Sequence, residues 1–115
     1  MIVTVSSRHM DVTPALKAYA LRKASKLVRY YDRITEIEVV FNSVRPVLRV
    51  EMIVNAEPKI RFLAHHDQAD AYACIDQCMP KLERQLSEHK RMTRNRKHQV
   101  GTDKRAMRAA RAERD

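Results

Sequence analysis

At 115 residues the chain is long enough for one two-layer core and too short for two independent ones. Apolar residues make up 44% of it and aromatics 5%, with no Trp and a single Gly at Gly101. This composition argues against a large aromatic ligand pocket and against a glycine-rich phosphate loop, which needs several residues at positive φ. The 23 Lys and Arg against 14 Asp and Glu give a formal +9, so a polyanionic partner is expected, with nucleic acid first and an anionic membrane as the rival.

Residues 2 to 9 open with Ile2, Val3, Thr4 and Val5 and read as a strand ending near His9. Thr13 and Pro14 then form a helix start, with Thr13 accepting an orphan N–H and Pro14 suited to the first helical position. This helix is expected to run to about Tyr31. Within it Leu16, Ala20, Ala24, Leu27 and Tyr31 fall inside an arc of about 80°, which marks the core face. Arg22, Lys26, Arg29 and Arg33 gather within about 60° on nearly the opposite side and form an outward basic row.

Residues 34 to 42 alternate, with Ile37, Val39 and Phe41 on one face and Glu36 and Glu38 on the other. Arg45-Pro46 marks a turn. Residues 47 to 55 place Leu48, Val50, Met52 and Val54 inward, and Glu57-Pro58 makes the next turn before a strand from Lys59 to His65. The short links predict an antiparallel meander, whereas the first strand, which reaches the second through a helix, should lie parallel to it. Asp67 is read as an N-cap, with Asp70 three residues on. It opens a second helix whose core stripe is Ile75, Met79, Leu82 and Leu86 and whose outer side carries Lys81, Arg84 and Arg91, with Lys90 nearby.

Pro80 inside that helix contradicts the pattern locally, and a kink or two abutting helices are expected there. After Met92 the apolar stripe stops. Residues 93 to 115 hold eight basic and three acidic residues, a net +5, and are expected to be a disordered basic tail when free. The fold class read from this order is α+β: β-α-β-β-β-α, a four-stranded mixed sheet with both helices on one face, formed by residues 1 to 92.

If the helices pack side by side, the two basic rows should share one surface, on which RNA phosphates would be held largely by shape and charge. The acids interleaved on the far sheet face, and its lack of exposed aromatics, argue against base stacking there. Cys74 and Cys78 lie four apart with His65 and His66 nearby, but the spacing matches no common zinc pattern, and the thiols read as reduced packing residues. No nucleophile motif accompanies His65, His66 and Asp67. No cofactor, metal, small-molecule substrate or catalytic activity is therefore expected. No apolar run reaches the roughly 20 residues of a spanning helix and the N-terminus lacks a signal-peptide pattern, so the expected location is the cytoplasm, away from the membrane.

The run Ser7-Arg8-His9-Met10-Asp11-Val12-Thr13-Pro14-Ala15-Leu16, with Lys23 and Lys26 before Leu27 and then Tyr31-Asp32-Arg33-Ile34, resembles the ribosome hibernation-promoting factor and ribosome-associated inhibitor family. Asp70-Ala71-Tyr72-Ala73-Cys74-Ile75-Asp76, followed by Lys81-Leu82-Glu83-Arg84-Gln85-Leu86 and His89-Lys90, looks like that family's last helix. The resemblance covers about residues 1 to 91 and implies a short-form member. It implies binding to 16S ribosomal RNA in the decoding channel of the small subunit, alone or in the intact ribosome. Translation would be inhibited there by occupancy, as part of the stress response in stationary phase.

The basic positions carried over are Lys23, Lys26, Lys81, Arg84 and Lys90; Arg22, Arg29, Arg33 and Arg91 come from the helical pattern. Pro80 stands where the family usually has a good helix former, and the tail is basic, unlike the acidic tail of the inhibitor branch. Two alternative functions remain at this level: a general structured-RNA binder, and a module that modulates a transcription factor.

Overall fold

Strand β1 (Ile2–Arg8) leads into helix α1 (Pro14–Ser25) and a 3₁₀ turn (Lys26–Arg29); strands β2 (Ile34–Val44), β3 (Val47–Ala56) and β4 (Ile60–Gln68) follow, and helix α2 (Ala71–His98) closes the order. The computed structural model describes residues 1–98. Residues 99–115, most of the expected basic tail, lie outside the described residues.

The sheet order is β1-β2-β3-β4, with β1 parallel to β2 and the other two pairings antiparallel, as the link lengths predict. Register places Val39 against Met52 and Met52 against Ala64, so the apolar sets of β2, β3 and β4 meet on one face. Leu16, Ala20, Ala24 and Leu27 from the first helical segment, and Ile75, Leu82 and Leu86 from α2, are buried with them in one core. Each such Leu or Ile contributes roughly 1.5–3 kcal/mol when withdrawn from water, so both helices belong to the fold rather than ornament it. Among the described residues no helix is long and apolar enough to cross a membrane.

Thr13 caps α1 as its sequence predicts, its Oγ1 accepting from the Leu16 N–H at 3.1 Å. The α-helix stops at Ser25, however, not near Tyr31. The Ser25 hydroxyl donates back to the Leu21 carbonyl at 2.7 Å, and the chain tightens into the 3₁₀ turn, where successive residues step by about 120° instead of 100°. Leu27 and Tyr31 stay buried, but Arg33 falls beyond the turn, in a different hollow from Lys26 and Arg29.

Asp67 is not an N-cap. It remains in β4 opposite Arg49, whose Nε and Nη2 donate to its two carboxylate oxygens at 2.7 and 2.8 Å across the strands. This pair extends β4 three residues past His65, and the Arg49 guanidinium holds the Asp67 carboxyl below its ordinary range. Asp70 caps instead, accepting from the Tyr72 N–H at 2.9 Å.

Helix α2 is one continuous element through Pro80, not two abutting helices, and it continues past Met92 to His98. Pro80 is exposed, so the carbonyl that its missing N–H leaves free can be hydrated. An interior Pro costs about 3 kcal/mol relative to Ala, and the stiffness it gives the unfolded chain returns less than about 1 kcal/mol. Pro80→Ala is therefore expected to stabilise the protein by about 2 kcal/mol in urea unfolding at neutral pH. An unchanged or lower midpoint would show that the surroundings of α2 are fitted to the proline.

Candidate nucleic-acid interface

The two helices are joined at their surface by tyrosines of the first segment and carboxylates of the second. Tyr19 donates its hydroxyl to Asp76 Oδ1 at 2.5 Å, and Tyr30 lies beside Glu83. Asp76 and Glu83 are seven residues apart, two turns of α2, so they present their carboxylates on the flank that faces α1. Donation to Asp76 raises the Tyr19 pKa above its ordinary value, and the neighbouring Glu83 does the same for Tyr30. The Tyr19 ring also meets Tyr72 edge-on at 5.0 Å and carries Arg22 and Lys23, each 5.4 Å from its centroid.

Lys23, Lys26 and Arg29 line a groove of about 330 Å³ between these helices, with Met79 and Pro80 on the α2 side. Asp76 and Glu83 also line it, so the three cations share the groove with two carboxylates. Beyond the 3₁₀ turn a second hollow, about 240 Å³, brings Arg33 together with Lys90 and Arg94. Arg94 was not among the residues expected from sequence, because the apolar stripe ends at Met92; its spacing of four from Lys90 on a helix that continues is the signal that could have found it.

Lys81 and Arg84 lie elsewhere. Lys81 Nζ donates to the His65 carbonyl at 2.9 Å, and Gln85 Nε2 to the Leu63 carbonyl at 3.0 Å, along the free edge of β4. Arg84 lines a hollow on that same flank, beside the start of β4. The two expected basic rows thus merge only in part: Lys90 joins Arg33 beyond the 3₁₀ turn, whereas Lys81 and Arg84 lie on the β4 flank of α2, away from the Lys23, Lys26 and Arg29 groove. Arg91, nine residues after the buried Leu82 and so half a turn round the helix, is exposed on the outer side.

The thiols belong to the core. Cys78 Sγ donates to the Val50 carbonyl at 3.6 Å and Cys74 Sγ to the Leu48 carbonyl at 3.5 Å, and burial pushes the Cys78 thiol up to about 12. Among the described residues no group of three or more His, Cys, Asp or Glu is placed to hold a metal ion.

Residues 3–94 match the family described as Sigma 54 modulation protein / S30EA ribosomal protein. A ribosome hibernation promoting factor of Azotobacter vinelandii is 36% identical over 90 residues, covering 78% of this chain and 83% of the relative. Its counterpart in Escherichia coli K12 is 30% identical over 96 residues, with 78% and 94% covered. A ribosomal subunit interface protein from Coxiella burnetii superposes with a TM-score of 0.72 at 28% identity, over 78% of this chain and 98% of that one. The N-terminal domain of Thermus thermophilus Protein Y gives 0.69 at 28% identity, over 77% and 99%.

The Tyr19 bond makes the helix junction sensitive to alkali. Because the Tyr19 pKa is raised in the folded state, its stabilising contribution is complete below the ordinary value of 10.0 and is lost as pH climbs through the raised one. Tyr19→Phe should cost under about 1 kcal/mol at pH 7, a small figure because the bond is solvent-exposed, and the gap to the unaltered protein should close above roughly pH 10. Urea midpoints of both proteins at pH 7 and pH 11 check this; a gap that persists at pH 11 would assign the loss to packing of the ring.

Proposed function

Because the chain belongs to the Sigma 54 modulation protein / S30EA ribosomal protein family, we propose that it is a ribosome-associated factor that binds small-subunit ribosomal RNA in the decoding channel and silences translation by occupancy. The observation that carries this reading is the run of cations from Lys23, Lys26 and Arg29 in the helix groove to Arg33, Lys90 and Arg94 beyond the 3₁₀ turn, on a chain with a formal +9. Folded RNA presents phosphates at repeated spacings, and each phosphate neutralised releases counterions, which supplies affinity without any base being read. The side chains sit on helices anchored in one core, so the spacing of the cations is fixed before binding and little ordering entropy is lost there. Arg22, Lys81, Arg84 and Arg91 extend the contact around α2.

Occupancy requires no catalytic step. Messenger and transfer RNA would be blocked because the protein fills the channel they need, and the intact ribosome would be held inactive for as long as the protein stays bound. The cytoplasm follows as the site of action, since that is where the partner is.

Sucrose-gradient sedimentation with purified subunits and intact ribosomes tests the reading. The protein should travel with the small subunit and with intact ribosomes and be absent from the isolated large subunit; equal recovery on both subunits would point to a general structured-RNA binder. Lys26→Glu combined with Arg29→Glu reverses two exposed groove charges without touching the core, and should weaken small-subunit binding more than about tenfold, equivalent to about 1.4 kcal/mol. Unchanged affinity at an unchanged melting midpoint would move the interface away from this groove.

A further inference from the structure

The chain has four tyrosines and two phenylalanines, and the fold gives all but one of them an evident structural use. Phe41 and Phe62 are buried in the core. Tyr31 is buried too and donates its hydroxyl to the Glu57 carbonyl at 2.9 Å, Tyr19 donates to Asp76, and Tyr30 lines the helix groove beside Glu83. Tyr72, in the first turn of α2, is the exception among the described residues: it is 38% exposed and its hydroxyl makes no hydrogen bond. One exposed ring means little by itself, so its surroundings decide what it is for.

The ring of Tyr72 rests against that of Tyr19, with centres 5.0 Å apart and planes at 72°. An edge-to-face contact takes up at most one face of a ring, and the exposure of Tyr72 leaves much of the remainder in water. Tyr19 is itself fixed by its bond to Asp76, and Arg22 and Lys23 each lie 5.4 Å from its ring centre. Lys23 and Asp76 also line the cation groove, and Tyr72 stands one turn of α2 before Asp76. The two rings therefore continue the groove towards the start of α2.

The charges here select between a phosphate and a base. Asp70 accepts from the Tyr72 N–H at 2.9 Å and Asp76 lies one turn further on, so carboxylates before and after the ring disfavour a phosphate placed directly on it. An unpaired base is uncharged and needs a flat apolar face, with cations near enough to meet its adjoining phosphates. Tyr72 offers the face, and Arg22 and Lys23 offer the cations. An aromatic side chain of a protein partner would fit the face but would leave the cations unused.

We propose that the Tyr72 ring stacks on one unpaired base of the RNA partner, with Arg22 and Lys23 holding the adjoining phosphates. The inference rests on the RNA-binding reading above and deepens it: stacking accepts any base, so it directs this corner of the protein to a single-stranded stretch without selecting a sequence.

The test compares Tyr72→Phe and Tyr72→Leu with the unaltered chain in binding to the purified small subunit across a salt series. Phenylalanine keeps a flat ring and should bind as the unaltered chain does, whereas leucine lacks one and should bind more weakly by about fivefold or more. Stacking releases no counterions, so the slope of log affinity against log salt should be the same for all three. Equal affinities would take Tyr72 out of the interface, and a flatter slope for Tyr72→Leu would mean that the ring serves only to position Arg22 and Lys23; either result overturns the proposal. A second measurement needs no variant. The full chain with ¹³C-labelled tyrosine, titrated with a single-stranded RNA hexamer and with the same sequence as a duplex, should show upfield shifts of the Tyr72 ring resonances with the single strand alone. Equal shifts with the duplex, or no shift with either RNA while Tyr72→Leu still weakens small-subunit binding, would assign the ring to backbone or protein contacts and overturn the stacking. If Tyr72 does not respond in a protein that sediments with the small subunit, only the base contact is wrong; if it stacks on the hexamer but the protein binds no ribosome, the error lies in the functional reading.

Discussion

Everything in this molecule hangs on the seating of one helix. The apolar face of α2, with Ile75, Cys78, Leu82 and Leu86 fully buried, lies on the inner face of the sheet and covers residues that would otherwise face water, among them Val50, Met52 and Val54. A helix so placed has two flanks and one back, and each has a different neighbour: the α1 segment on one side, the bare edge of β4 on the other, and solvent above. The positions of Lys23, Lys26 and Arg29 opposite Asp76 and Glu83, and of Lys81 and Gln85 over β4, are consequences of that seating. Truncating Leu82 or Leu86 would cost about 2–5 kcal/mol and would disturb both flanks together.

The strands were readable because a half-buried sheet forces alternation, and Ile37, Val39 and Phe41 against Glu36 and Glu38 could be arranged in no other way. Their order followed from link length. What could not be read was decided by partners distant in sequence. Asp67 has the composition of a cap, yet Arg49, eighteen residues earlier, holds it in the sheet. Ser25 ends the α-helix through a bond to its own backbone that a helical wheel does not contain. Local propensity is a weak prior where a charged cross-strand pair or a side-chain to backbone bond competes with it.

The candidate site was partly legible for the same reason. Periodicity identified the basic residues of both helices, since charged side chains are kept from the core whatever the tertiary arrangement. It could not say that α2 would part them, because which flank faces α1 depends on how the helices cross. Nor could it show that Tyr19 donates to Asp76 and that Tyr30 lies beside Glu83, contacts that join the two helical segments at their surface. The resemblance to a ribosome-associated family pointed to a partner that charge alone could not name, while the structure showed on which sides of α2 the cations lie.

The two thiols have a use apart from packing. With the Cys78 pKa pushed up to about 12 by burial, almost none of it is thiolate at neutral pH, and the sulfur is screened from solvent by the helix that carries it. Oxidants and alkylating reagents can reach it only when α2 lifts from the sheet. The protein thus contains its own gauge of helix opening: the rate at which Cys78 is labelled measures how often α2 undocks, and the slowing of that rate on a partner would report how firmly the partner clamps the helix in place.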